Sequence, residues 1–112
     1  YAFPSDARAG RPLVVTLFWH VLDPPPEVRT RDMTAFNHVL DASGERVAQV
    51  DGMALLSRDW WPGDVLVQPY RVQLPSGTYV WRVGLYSRAD GGRSLVSTGG
   101  DFVDLGPLVV QP

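Results

Sequence analysis

The stretch "PSGTYVWRVGLYSR", Pro75 to Arg88, decides how this chain folds. Its Pro-Ser-Gly opening is a turn signal. A run rich in β-branched and aromatic residues follows. Tyr79, Trp81, Val83 and Leu85 share one period-2 face, while Arg82 falls on the other. Such alternation predicts a strand with one face toward a core.

The rest of the chain repeats the pattern. In "PLVVTLFWHVL", Pro12 to Leu22, one face carries Leu13, Val15, Leu17, Trp19 and Val21. The other carries Val14, Thr16, Phe18 and His20. Neither is purely polar, which predicts a central strand. "DPPPE", Asp23 to Glu27, ends it, because proline lacks the N–H that a ladder needs. Residues 28–33 are expected to be irregular. Ala35 to Leu40 and Arg46 to Val50 read as a hairpin around "DASGE", with Gly44 free to take positive φ. Met53 to Asp59 is long enough for one helical turn. Val65 to Leu74 reads as a strand in which Pro69 marks an edge or a bulge. "ADGGR" predicts a turn, Leu95 and Val96 a short strand, and "LGPLVVQP" the last one.

No amphipathic helix emerges. About seven short strands between turns predict an all-β fold, an antiparallel β-sandwich of immunoglobulin type. Residues 1–112 form one domain, with 1–11 as a loose lead-in. In immunoglobulin domains a corner tyrosine lies two residues before a core cysteine. Here Tyr79 lies two before Trp81, and the chain has no cysteine. Trp81 is expected to fill the place of a disulfide, against Trp19.

Composition narrows the function. A net charge of −2 leaves no basic patch for nucleic acid. The lack of cysteine removes disulfides, thiolate metal sites and thiol nucleophiles. Ten arginines with no lysine, and valine and leucine with no isoleucine, read as a bacterial gene of high GC content. There is no signal-peptide pattern or long apolar span. The chain starts at Tyr1, which reads as a domain excised from a longer protein.

Catalytic patterns are missing from the sequence. No serine sits in a nucleophile elbow. His20 and His38 lie in the similar strings "FWHVLD" and "FNHVLD", which read as two strands of like composition rather than a duplicated metal motif. Asp41, Asp51, Asp59 and Asp64 flank turns, where carboxylates commonly cap backbone N–H groups. No catalytic residue, metal site or cofactor is predicted, and the chain is not expected to be an enzyme.

Three strings carry a resemblance. They are "LVVTLFWHVLDPPP" from Leu13, "FNHVLDASGERVAQVDG" from Phe36, and "WWPGDVLVQPYRVQLPSGTYVWRVGLYSRADGGR" from Trp60. Together they resemble the β-sandwich module near the C-terminus of some large bacterial membrane proteins. Many of those are similar to multi-pass glycosyltransferases of the dolichyl-phosphate-mannose-mannosyltransferase kind. The match runs over about residues 11 to 110 and rests mainly on turn and core positions. The chain departs from it at Ser87, where aspartate is usual, and at Asn37, where an apolar residue is usual. The resemblance implies a non-catalytic domain on the extracytoplasmic side of the membrane. Its partners would be the remainder of the parent protein and an extracytoplasmic glycan or acceptor.

"WWPGD", Trp60 to Asp64, is the candidate binding surface. Neighbouring residues of an extended segment point in opposite directions. The resemblance aligns Trp61 with a tryptophan before Pro-Gly, so Trp61 is expected to plug the core and Trp60 to face outward. Trp60, Tyr70 and Asp64 are the predicted contact residues. The alternative is a freestanding binding module, either carbohydrate-binding or a proteinase inhibitor presenting "DPPPE" or "MALLSRD".

Overall fold

The computed structural model describes residues 1–22, 32–54, 56–88, 91–94 and 100–112. Among these residues seven strands run in order: β1 (Leu13–His20), β2 (Met33–Leu40), β3 (Arg46–Gln49), β4 (Val65–Val72), β5 (Gly77–Ser87), β6 (Arg93–Ser94) and β7 (Val103–Val110). A 3-10 turn, Ser57–Asp59, lies between β3 and β4. The predicted turn in "MALLSRD" is there. Leu95 and Val96, the expected short strand, lie outside the described residues, as does "DPPPE".

The strands build two antiparallel sheets in a sandwich-like arrangement. One sheet pairs β1 with β4, from Leu13 opposite Val72 to His20 opposite Val65. The other has the order β3-β2-β5, and the far edge of β5 pairs with β6 and β7. Alternation in β1 and β4 buries Leu13, Val15, Leu17, Tyr70 and Val72 and turns their neighbours outward. Those buried residues share one core with Val39, Tyr79, Trp81, Val83, Leu108 and Val110 of the larger sheet. Trp19 is partly buried against it. A second cluster gathers Val21, Met33 and Trp60.

Trp81 is the largest fully buried side chain. Its indole N–H needs an acceptor in the core, and Asn37 Oδ1 accepts it at 2.8 Å. Asn37 Nδ2 in turn donates to the Val50 carbonyl at 2.8 Å. A polar residue at this core position has a physical reason: the buried indole requires a partner. Tyr79 closes the turn before β5 by donating its hydroxyl to the Pro75 carbonyl at 2.7 Å.

Two expectations change. β1 is not a central strand. Among the described residues it pairs with β4 and, on its other edge, only with the isolated bridge at Ala2. On its second face Val14, Phe18 and His20 stay exposed. Residues 1–11 are not a loose lead-in either. Ala2 bridges Thr16 of β1, Arg8 bridges Gln111 beyond β7, and Ala7 is buried in the core. Pro69 behaves as expected: among the described residues β4 pairs only with β1, and the missing N–H costs no ladder bond on its other side.

Candidate functional site

The tryptophan pair sits between the 3-10 turn and β4. Leu56 and Trp60, which flank the turn, are both extended. Beyond it, Trp61-Pro62-Gly63-Asp64 is a tight turn. Asp64 N–H donates to the Trp61 carbonyl at 3.0 Å, and Gly63 holds φ at 92°. Proline followed by a positive-φ glycine is the pattern of a type II turn. Asp64 Oδ2 accepts the Trp61 N–H at 3.0 Å. The turn is tied to the end of β1 through Gly63 N–H to the Val21 carbonyl at 2.7 Å and Val21 N–H to the Asp64 carbonyl at 2.9 Å.

The two indoles point opposite ways, but with the assignment reversed. Trp60 is 4% exposed and packs with Val21 and Met33, whereas Trp61 is 64% exposed. The 3-10 turn fixes the phase of this segment independently of β4, and the second cluster takes Trp60. Tyr70 is not a surface contact either. It is buried, its ring lies 6.2 Å from that of Trp81, and its hydroxyl donates to the Gly52 carbonyl at 2.6 Å. Burial pushes that hydroxyl's pKa up. Asp64 serves the turn. The predicted trio therefore does not form one exposed surface.

Of the other predicted carboxylates, Asp41 caps a turn and Asp51 bonds β2. Asp41 Oδ1 accepts from Ser43 Oγ, Ser43 N–H and Glu45 N–H, at 2.6, 2.9 and 3.0 Å. The Ser43 hydroxyl, then the Glu45 N–H, hold its pKa below the ordinary value. Asp51 accepts from Gln49 Nε2 at 2.7 Å and from Asn37 N–H at 3.3 Å. His20 lies on the outer face of β1, exposed. His38 lies on the outer face of β2, where partial burial and then Arg46 lower its pKa. The histidines thus belong to different sheets. Among the described residues, no group of three or more His, Asp or Glu side chains could hold a metal ion. Ser57, within the loop considered for protease recognition, is buried and accepts the Met33 N–H at 2.9 Å. A cavity of about 320 Å³, lined by Pro4, Asp6, Arg8, Arg11 and their neighbours, touches none of the three predicted residues.

The feature that sequence reasoning missed is the outer face of the β1–β4 sheet. Phe18 stands opposite Val67, and His20 opposite Val65. Phe18 is 51% exposed and both valines are 59% exposed. Past the end of the sheet, where the Val21 bonds hold the two segments together, Leu22 and Trp61 are exposed as well. The signal was present in β4: Pro69 and Arg71 share a period-2 face with Val65 and Val67, and neither suits a core. The same face also carries Thr16, His20 and Arg71.

No family model matches the chain, and no curated protein or solved structure matches it. Among the described residues, no helix is long and apolar enough to cross a membrane.

Proposed function

We propose that this domain is a non-catalytic accessory module of a longer bacterial membrane-anchored protein of the glycosyltransferase kind, on the extracytoplasmic side. Its work is to pack the β1–β4 face against the remainder of that protein. The observation that carries this reading is the bare apolar face of Phe18, Val65 and Val67. Two strands of eight residues outline a face of roughly 27 Å by 10 Å. That is roughly a third of the ~800 Å² per partner buried in a stable freestanding complex. A tethered neighbour needs less, because linkage raises its effective concentration. The strand order and the Tyr79 corner support the finer assignment to the immunoglobulin type.

Residues 1–112 hold no cysteine, so a thiol introduced here is read at its own peptide after digestion. Phe18→Cys and Val67→Cys in the full-length protein are expected to react with a maleimide at least tenfold more slowly than Val47→Cys on β3. Equal rates at all three positions would reject the packing role.

A second reading rests on Trp61. A sugar ring stacks on an exposed indole, and Trp61 is held outward by a bonded turn. Glycan-array binding that Trp61→Ala abolishes would establish a carbohydrate contact. An empty array for the wild type would remove it.

A further inference from the structure

We propose that β1 is a strand acceptor, and that the polypeptide leading into Tyr1 in the longer protein adds to it as an antiparallel strand. This rests on the reading above, that the domain belongs to a longer protein. It goes further by naming the segment that meets the sheet and its register.

The geometry starts at Ala2. Ala2 N–H donates to the Thr16 carbonyl at 2.9 Å, and Thr16 N–H donates to the Ala2 carbonyl at 3.1 Å. A residue pair that exchanges both bonds is a hydrogen-bonded antiparallel pair. Along a strand the backbone groups alternate between edges. Thr16 therefore fixes the even-numbered residues of β1 toward the Ala2 side. Val21, an odd residue, confirms the phase by donating to Asp64 on the β4 side. Phe18 and His20 consequently aim N–H and C=O at the edge away from β4. Among the described residues, no backbone partner meets them there.

The chain approaches in the right direction. Continuing the Ala2–Thr16 bridge puts Tyr1 opposite Leu17 and the residue before Tyr1 opposite Phe18. The third residue before Tyr1 then stands opposite His20. The residue opposite Phe18 would make the next bonded pair, and its side chain would lie on the same face as Phe18 and Val67. One added strand would thus satisfy the edge and cover part of the apolar face. An unpaired strand edge is otherwise a template for association with other chains.

Hydrogen exchange of the full-length protein, read at single amides, tests this. The Phe18 and His20 amides are expected to exchange at least tenfold more slowly than free-edge amides. Proline at the residue immediately before Tyr1 removes a donor to Phe18, and should speed Phe18 exchange at least tenfold. Proline one residue earlier falls at a non-bonded position and should change it little. Unprotected Phe18 and His20 amides in the wild type would overturn the proposal. So would protection insensitive to the first proline, since another segment would then be the cover. Slow thiol labelling of Val67→Cys beside fast Phe18 exchange would reject the added strand while leaving the packing role standing.

Discussion

The outer faces of the two sheets start from the same kind of sequence and end differently. Both carry a phenylalanine on an outward strand position, Phe18 on β1 and Phe36 on β2. Phe18 stands half in solvent, whereas Phe36 is buried. The difference lies in what the chain lays over each ring. Phe36 lies over Gly84, its partner in the β2–β5 register. The Arg93 guanidinium sits 4.4 Å above its ring, and the Asp101 backbone comes close on the same side. Nearby, Arg82 covers Phe102 at 4.1 Å and bonds Asp104 at 2.8 and 3.0 Å. The larger sheet roofs its own outer face. No described segment does so for β1 and β4. An alternating pattern fixes which way a side chain points, but the cover above it comes from elsewhere in the chain.

Substitutions on the two faces should separate accordingly. Phe36→Ala is expected to cost about 3–5 kcal/mol in urea unfolding, the range for emptying a buried aromatic site. A smaller loss from Phe36 would mean that its roof is not packed. Gly84→Ala comes next, at about 1–3 kcal/mol. Its Cβ would fall 2.4 Å from the Phe36 ring and 2.6 Å from the Asp101 carbonyl, and a backbone atom cannot swing aside.

Arg82→Ala should cost under about 1 kcal/mol, because the ion pair with Asp104 is partly exposed. This loss should depend on pH. The Arg82 hydrogen bond holds the Asp104 pKa below its ordinary value of 3.8. A lowered carboxylate pKa adds stability above the unfolded value, and that stability is lost as pH falls through the folded one. Wild type and Arg82→Ala should therefore converge in acid melts below that range. The smallest effect is expected at Phe18→Ser, within about 0.5 kcal/mol of wild type. A large loss there would show that the bare face already has a cover within this chain.

Much of the fold was legible in the sequence, because strand alternation and turn residues act locally. Tyr79 and Trp81 were readable from their spacing after Pro-Ser-Gly. The buried acceptor at Asn37 was visible only as a departure from a pattern, since its partner lies 44 residues away. The candidate surface fared worse. Adjacency gave the opposed directions of Trp60 and Trp61, but the phase depended on the Val21–Met33 cluster, which forms only in three dimensions. Tyr70 was within reach: it shares its period-2 face with Val72, opposite to Pro69 and Arg71. β1 misled because two apolar faces suggest a strand covered on both sides, and here the cover is absent among the described residues.

The Arg8–Gln111 bridge is parallel, and it has a mechanical consequence. Ala9 N–H donates to the Gln111 carbonyl at 2.7 Å, and Gln111 N–H donates to the Ala7 carbonyl at 2.9 Å. Tension applied at the two termini would slide these segments past each other, so both bonds bear the force together. An antiparallel contact would instead peel open one link at a time. Residues 7–9 and Gln111 are fastened as a shear joint.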